Sequence, residues 1–261
     1  MAQNPHPVVF VGAGPGDPDL ITVAGRKALE EADLIVTAGS LVNPEILACR
    51  KESCSVEDSA PLDLGQITKL LADGWRGGLR VVRLHTGDPS LYGAVREQFD
   101  VLEKEGVPYR VVPGVTAAMA AAAQIGLEYT LPEVTQTLIL TRIQGRTPMP
   151  PGEDLESLCS HRASIALYLS AAEGEEVSRI LSAAYGPDSP VALLYRATWP
   201  DSREVWATAG TLKAALDAEK LDRHTIMLCG PAVAALKNGT DAPKSKLYDA
   251  GFSHGYRAGK P

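Results

Sequence analysis

The chain has few cysteines and histidines, the side chains that hold structural zinc ions, and cysteines also cross-link small folds. Its 261 residues include four cysteines and five histidines, and no two cysteines form a CxxC pair. A structural zinc site and a dense disulfide framework are therefore disfavoured. We expect no bound metal.

Aromatic residues and surplus positive charge are also scarce. Three Phe and three Trp are too few for a platform on which single-stranded bases stack. Asp and Glu number 32 against 25 Lys and Arg, which gives a net charge of −7. Because nucleic-acid backbones are bound by cationic faces, we expect no nucleic-acid partner. An anionic small ligand held by a few local arginines stays compatible with this charge balance.

No apolar run reaches the roughly 18 residues that a membrane-spanning helix needs, so we expect no membrane partner. The first seven residues, MAQNPHP, have no basic start and no long apolar core, and they do not resemble a signal peptide. The expected location is therefore cytoplasmic. The 45% hydrophobic and 22% charged fractions are ordinary for a globular chain and argue against disorder.

Short apolar runs alternate with amphipathic segments along the chain. The runs lack the polar alternation of half-exposed strands, which is typical of strands buried on both faces of a sheet. The segments between them, such as 19–32 and 91–105, carry apolar residues at helical spacing. This βαβα order predicts an α/β fold with mostly parallel sheets. The predicted strands are 8–11, 34–36, 80–84, 109–112, 138–140, 165–169, 191–195 and 226–228.

A change of pattern marks the middle of the chain. Pro113 and Gly114 end the fourth predicted strand and precede a helix of small residues. We predict two α/β lobes, residues 1–114 and 115–240, with a cleft between them and a polar, Gly-rich tail over 241–261. A single sheet of eight strands is the alternative.

The most distinctive local sequence is GAGPGDP at 12–18, between a predicted strand and a predicted helix. A dinucleotide site needs glycines at relative positions 1, 3 and 6, but position 6 is Asp17. The second strand also ends in TAGS, without the acidic residue that holds a ribose. An NAD site is therefore disfavoured. A tight turn explains one glycine, whereas three in five positions indicate a ligand close to the backbone.

Two further glycine-containing loops follow predicted strands, TGDPSLYG at 86–93 and PGVTA at 113–117. Ligands of open α/β sheets bind beyond the carboxyl ends of strands, so we expect the three loops on one edge. Asp88 is a candidate partner for a ligand amine or hydroxyl, and the helix start after Thr116 suits a carboxylate. Each loop alone is also compatible with an ordinary turn or helix cap.

Motifs for covalent catalysis are missing from the sequence. It contains neither GxSxG nor GxxxxGK[ST], and no histidine stands beside a candidate nucleophile in a recognisable pattern. Either the chemistry proceeds without a protein nucleophile, or the protein only binds a ligand.

The three loops, in this order and separation, resemble the tetrapyrrole (uroporphyrin-III/precorrin) methylase family. LYLS at 167–170, RATWP at 196–200 and TIMLCG at 225–230 resemble it too, so the likeness extends over residues 8–236. Other segments are similar to the subgroup that methylates precorrin-4 at C11 in cobalamin biosynthesis. These segments are 38–45, 84–93, 141–148 and 247–254.

The resemblance implies a homodimer of two-lobed subunits, S-adenosyl-L-methionine as cofactor and S-adenosyl-L-homocysteine as its product. It also implies a set of cofactor-binding residues. Among them, Leu169 stands where many family members have methionine, a change that keeps the volume and the apolar contact. The set is Pro15, Thr86, Gly87, Asp88, Tyr92, Thr116, Ala117, Leu169, Ala197 and Thr225.

The implied substrate is a large polycarboxylate tetrapyrrole, for which arginine is the natural bidentate partner. Arg142 and Arg146 are the candidates because residues 134–152 contain no Asp, Glu or Lys. His85, beside the second loop, is a third candidate. The alternatives are solvated loop charges for the arginines and a strand-end hydrogen bond for His85.

Methyl transfer from a sulfonium requires alignment rather than a protein nucleophile, which agrees with the missing triad. Asp17 is the candidate base for the later loss of a proton. Two alternatives stay open: a methylase of another precorrin or cobalt-precorrin intermediate, and a ligand-binding α/β protein without chemistry.

Overall fold

A computed structural model of the chain describes residues 4–239 and 245–259, which form two compact units. The first unit comprises Met1–Ala120 and Ala197–Asp201, and the second comprises Ala121–Arg196 and Ser202–Pro261. The predicted lobe boundary at 114–115 stays a prediction. The predicted start of the tail at 241 lies outside the described residues, as do the first three residues of the N-terminal sequence.

The first unit contains one five-stranded sheet. Its strands are β1 (Val8–Gly12), β2 (Leu34–Thr37), β3 (Ser55–Asp58), β4 (Val81–His85) and β5 (Tyr109–Val112). Its helices are α1 (Val23–Glu31), α2 (Leu64–Arg76) and α3 (Arg96–Lys104), and α4 (Ala117–Ile125) crosses the division between the units. The strand order is β3-β2-β4-β1-β5, and every neighbouring pair is parallel.

The first sheet is buried because helices cover both of its faces. Leu29 of α1 packs on one face, and Leu71 and Trp75 of α2 pack on the other. Every residue of β1, β2 and β4 is buried, as their apolar sequences predict. Helix α2 begins with a capping box in which Asp63 and Gln66 bind each other's backbone amides.

The second unit also contains one five-stranded sheet. Its strands are β6 (Leu138–Arg142), β7 (Ser164–Tyr168), β8 (Pro190–Tyr195), β9 (Arg203–Thr208) and β10 (Thr225–Cys229). Its helices are α5 (Leu155–Cys159), α6 (Gly174–Tyr185), α7 (Leu212–Ala218) and α8 (Pro231–Asn238). The core lies between the sheet and helices α5, α6 and α7, which contribute Leu155, Leu181 and Leu212.

The second sheet is mixed, in the order β6-β7-β10-β8-β9. Strands β6 and β7 are parallel, whereas β7–β10, β10–β8 and β8–β9 are antiparallel. The α/β fold with mostly parallel sheets is confirmed, since five of the eight pairings in the two sheets are parallel. The alternative of one eight-stranded sheet is wrong. No described helix is long and apolar enough to cross a membrane.

Candidate functional site

Three loops of the first unit meet at one edge of its sheet. The first loop (13–18) follows β1, the second loop (86–95) follows β4, and the third loop (113–116) follows β5. Because β1 lies between β4 and β5 and all three run parallel, their carboxyl ends are neighbours. The structure brings the three loops together, as the sequence predicts.

The loops contact one another through glycine main chain. The amide of Gly87 donates to the carbonyl of Gly14 over 2.8 Å, and the amide of Gly14 donates to the carbonyl of Gly87 over 3.2 Å. A Cβ on Gly114 would lie 2.1 Å from the carbonyl oxygen of Gly87 and 2.8 Å from the Cα of Gly12. Packing between loops thus accounts for these glycines, and a ligand against the backbone is not needed to explain them.

Asp88 connects the second loop to the third. Its carboxylate accepts hydrogen bonds from the amides of Ser90 and Gly114, both over 2.8 Å, and from the Ser90 hydroxyl. Partial burial opposes ionisation of Asp88, but the Ser90 and Gly114 hydrogen bonds outweigh it and hold the pKa below its usual range. Asp88 is therefore an ionised carboxylate at the centre of the edge.

The first loop is braced by side chains from outside it. The Trp199 indole donates to the carbonyl of Pro15 over 2.9 Å, and its ring lies where a Cβ of Gly16 would be. The Asn43 amide donates to the carbonyl of Gly16 over 2.9 Å, and the Thr198 hydroxyl accepts from the amide of Asp17 over 3.0 Å. Asn43, Thr198 and Trp199 are not among the site residues that the sequence predicts. No local sequence pattern predicts these contacts, since Trp199 and Pro15 are 184 positions apart.

The other predicted residues of this edge are partly accessible. Thr86 is exposed, and Tyr92 is 44% exposed with a left-handed backbone at φ +57°. Thr116 precedes helix α4, and its carbonyl accepts from the amides of Met119 and Ala120. The edge therefore combines a hydroxyl, a carboxylate, an aromatic ring and the positive end of a helix.

His85 lies beneath this edge rather than on it. Its imidazole is 5% exposed, stacks on Phe10, and has a buried Nε2 atom without a hydrogen-bond partner. Burial, together with the nearby Arg83 guanidinium, lowers the pKa of His85 to about 3, so the ring is neutral. The carbonyl of His85 accepts from the amide of Ala13 over 2.7 Å. Substrate binding by His85 stays a prediction, and in this structure its ring is part of the interior.

In the second unit, Arg142 organises the loop that follows β6. Its guanidinium donates to the carbonyls of Ile143 and Thr147, each over 3.2 Å, and of Pro148 over 2.8 Å. Arg146, within that loop, is exposed. The two arginines therefore differ: Arg142 binds its own loop, whereas Arg146 extends from the loop that Arg142 holds.

The remaining predicted cofactor residues differ in accessibility. Leu169 is 73% exposed with φ +52° and precedes the buried Ser170, whose hydroxyl accepts from the amide of Ile143 over 2.9 Å. Thr225, in the second unit, is buried and donates to the carbonyl of Arg223 over 3.1 Å. Ala197, in the first unit, is buried as well. Their contact with a cofactor stays a prediction.

The described residues show no activated thiol. Burial raises the pKa of the Cys159 thiol to about 12 and that of Cys229 still further, so neither is a thiolate nucleophile at neutral pH. Within 4–239 and 245–259, no three His, Cys, Asp or Glu side chains are placed to hold a metal ion. The polar groups at the first unit's edge instead suit a small ligand that carries an amine, a carboxylate and hydroxyls.

Comparison with known proteins gives one consistent result. The sequence model of the Tetrapyrrole (Corrin/Porphyrin) Methylases matches residues 7–213. The precorrin-4 C(11)-methyltransferase of Pseudomonas aeruginosa is 47% identical over 97% of this chain and 99% of its own. The cobalt-precorrin-4 C(11)-methyltransferase of Methanocaldococcus jannaschii is 41% identical over 98% of this chain and 97% of its own. The solved structure of a cobalt precorrin-4 methyltransferase, a cobalamin biosynthetic enzyme, has a TM-score of 0.84 at 43% identity, covering 87% of this chain and 95% of that one.

Proposed function

Because the chain belongs to the tetrapyrrole (corrin/porphyrin) methylase family, we propose that it transfers a methyl group from S-adenosyl-L-methionine to C11 of precorrin-4 in cobalamin biosynthesis. The observation that carries the proposal is the match, over nearly the full length of both chains, to a relative named for that reaction. The reaction needs no protein nucleophile, which fits the chemistry of the described side chains.

The edge of the first unit is the proposed cofactor site. Asp88, held ionised, suits the ammonium group or ribose hydroxyls of S-adenosyl-L-methionine, and the start of α4 after Thr116 suits its carboxylate. Tyr92 offers a half-exposed ring to the apolar part of the ligand. Pro15, Thr86, Gly87 and Ala117 complete this part of the proposed site, with Leu169, Ala197 and Thr225 as the proposed adenine-side residues.

The protein's contribution to the chemistry is alignment and proton handling. When bound, S-adenosyl-L-methionine supplies an electrophilic methyl group on a sulfonium. Asp88 and the start of α4 hold the ligand's charged groups. Holding two reactants in line can lower the activation free energy by about 7–11 kcal/mol. Asp17 is the proposed acceptor of the proton that the ring loses after methylation.

Arg146 is the proposed contact for the carboxylates of the substrate, since it is the exposed arginine of the loop after β6. Arg142 has a supporting role, because its donors bind that loop's carbonyls. Assembly as a homodimer and a cytoplasmic location are part of the proposal.

A second candidate substrate is the cobalt complex of the same ring. Relatives named for precorrin-4 and for cobalt-precorrin-4 both match this chain over nearly its full length. The experiment therefore supplies the purified protein with each ring in turn, together with S-adenosyl-L-methionine carrying a 13C-labelled methyl group. Labelled product with the methyl carbon attached to C11 is the expected result. Label at another ring position, or no transfer to either ring, contradicts the proposal.

Binding of S-adenosyl-L-homocysteine, measured by calorimetry with NAD as the control ligand, tests the cofactor site separately. We expect Asp88→Asn to weaken this binding about tenfold, because it removes a charge-assisted contact. The matched control is Asp73→Asn, since Asp73 pairs with Lys69 and Arg76 on the exposed face of α2. Equal affinity in the wild type and Asp88→Asn removes Asp88 from the site, and binding of NAD alone overturns the cofactor.

A further inference from the structure

Three consecutive residues of the first loop are each held by a side chain from elsewhere in the first unit. Trp199 donates to the carbonyl of Pro15, Asn43 donates to the carbonyl of Gly16, and Thr198 accepts from the amide of Asp17. The three distances lie between 2.9 and 3.0 Å. These three hydrogen bonds therefore hold the backbone of the first loop in one position at Pro15, Gly16 and Asp17.

The segment that supplies two of these side chains is strained. Thr198 has φ +71°, in the left-handed region that a β-branched residue rarely adopts. Two positions earlier, Arg196 has φ +45°. Such conformations persist only where the surrounding structure enforces them, and they concentrate at functional sites. Here the strained residue is the one that binds the amide of Asp17.

Packing and further hydrogen bonds also connect Trp199 and Asn43 to the first loop. A Cβ on Gly16 would lie 2.1 Å from Cδ1 of Trp199, so the indole occupies the space that any larger residue would need. The side-chain oxygen of Asn43 also accepts a hydrogen bond from the backbone amide of Glu45, which fixes the orientation of the Asn43 side chain. The Asp17 carboxylate itself is partly accessible and accepts from the amide of Asp19 over 2.9 Å.

We infer that Asn43, Thr198 and Trp199 form a clamp whose role is to position the Asp17 carboxylate for the proton-transfer step. The inference rests on the proposed function. In the reaction, the methyl carbon leaves sulfur, which keeps the bond's electron pair as a thioether, and bonds to a ring carbon that supplies the new pair. The ring then loses a proton, and the electron pair of the broken bond to hydrogen stays on the ring. The Asp17 carboxylate takes that proton. Asn43, Thr198 and Trp199 are positioning residues, because they act through the backbone of the first loop.

The test separates positioning from folding by varying Thr198. Thr198→Val keeps the shape but removes the acceptor, and we expect kcat to fall about tenfold while the affinity for S-adenosyl-L-homocysteine stays within twofold. Thr198→Ser keeps the hydroxyl and restores kcat to within about threefold of the wild type. Thr198→Gly removes both the hydroxyl and the strain, so Tm stays level or rises while kcat falls. A role limited to folding would make kcat follow Tm in all three variants.

The pH profile separates Asp17 from the residues that hold it. Asp17→Asn is expected to lower kcat by about a hundredfold and to remove the acid limb of the profile, because the proton acceptor is lost. Thr198→Val and Trp199→Phe lower the plateau but keep that limb, because the carboxylate is still present. An unchanged acid limb in Asp17→Asn overturns the inference, as does a wild-type kcat in Thr198→Val.

Hydrogen exchange at the Asp17 amide tests the clamp without the reaction. We expect faster exchange in Thr198→Val and Trp199→Phe than in the wild type. Matched controls are Trp206→Phe, whose indole binds Glu204 in the second unit, and Thr68→Val, whose hydroxyl binds the carbonyl of Leu64 within α2. A wild-type protein that fails to methylate either ring overturns the proposed function, whereas unchanged Asp17 exchange in both clamp variants overturns the clamp.

Discussion

The strand ends of the two units are organised in different ways. In the first unit, main chain packs against main chain where the loops meet, with Gly87 in contact with both Gly14 and Gly114, and the Asp88 side chain adds a hydrogen bond to Gly114. In the second unit, the loop after β6 is held by side chains, since Arg142 binds the carbonyls of Thr147 and Pro148 and the Ser170 hydroxyl accepts from the amide of Ile143. Beneath the first edge lies a buried neutral histidine, whereas the second unit's loop presents an exposed arginine.

This difference predicts which substitutions each unit tolerates. At Gly12 and Gly114, main-chain contacts leave no space for even one added carbon, which restricts the shape of the first unit's edge. A loop held by a long side chain keeps most of its backbone accessible and can accept new residues. A fixed edge suits an invariant ligand, and an adjustable loop suits the part of a substrate that varies between related reactions.

The largest expected effect comes from adding one methyl group at the first unit's edge, compared with the same addition in the loop after β6. Gly114→Ala places a carbon 2.1 Å from the Gly87 carbonyl oxygen, and we expect the free energy of unfolding to fall by about 3 kcal/mol. Gly145→Ala, in the loop that Arg142 holds, meets its nearest atom at 3.8 Å and should change stability by less than about 0.5 kcal/mol. Urea unfolding measures both. Equal losses of the free energy of unfolding in the two variants would contradict the difference between the first unit's edge and the loop after β6.

The next effect is the acid sensitivity that His85 gives the first unit. Its pKa of about 3 in the folded protein lies below the ordinary value of 6.5, so the unfolded chain binds the proton more tightly between these values. Stability should therefore fall as pH drops below 6.5, by about 1.4 kcal/mol per pH unit. His85→Phe, which preserves a ring against Phe10, should remove this slope.

Urea unfolding at pH 6.5 and 4.5 measures the slope for the wild type and for His85→Phe. The matched control is His161→Phe, because His161 is exposed and its variant should keep the wild-type slope. If His85→Phe and the wild type lose the same stability, the imidazole is not the source of the acid sensitivity.

The smallest expected effect separates the two arginines of the second unit's loop. Arg142→Ala removes the donors that bind three carbonyls and should lower the free energy of unfolding by about 1 kcal/mol, since the loop is partly exposed. Arg146→Ala should change it by less than about 0.5 kcal/mol but should raise the KM for the tetrapyrrole. Trypsin cleavage after Arg146 should be faster in Arg142→Ala than in the wild type, because the loop opens more often. Cleavage at the wild-type rate would mean that Arg142 does not hold the loop.

The sequence predicts the centre of each sheet better than its edges. Strands β1, β2 and β4 are buried on both faces, and their apolar runs identify them. Strands β3 and β9 are missing from the prediction. Both are edge strands, β3 is largely exposed and β9 is exposed or half-buried, and each of their sequences, SVED and REVWAT, contains two charged residues. Polar edge strands look like loops in a sequence.

Helix limits show how local chemistry alters a periodic pattern. The apolar spacing over 19–32 predicts one helix, but Asp17 caps a separate 3-10 turn at Pro18–Leu20, and Thr22 caps α1 at Val23. Both caps are recognisable once the break is known. The periodic pattern alone does not show that two short elements replace one.

The site was predictable as far as the order of strands determines it. Loops after neighbouring parallel strands must share an edge, so the grouping of Asp88 with Gly114 follows from the fold. The contact of Trp199 with Pro15 does not, because it depends on a segment 184 positions later. The donors of Arg142 were also unpredictable, since they depend on where the loop's carbonyls lie.

Residues Ala197–Asp201 belong to the first unit, although the ribosome makes them after much of the second unit. The ribosome adds residues 1–120 first and must add the 76 residues of 121–196 before the segment that contains Thr198 and Trp199. At about 5–20 residues per second, this interval is roughly 4–15 s. During that time the first loop lacks Trp199 and Thr198, so a newly made chain completes its amino-terminal half only when most of its carboxy-terminal half has been synthesised.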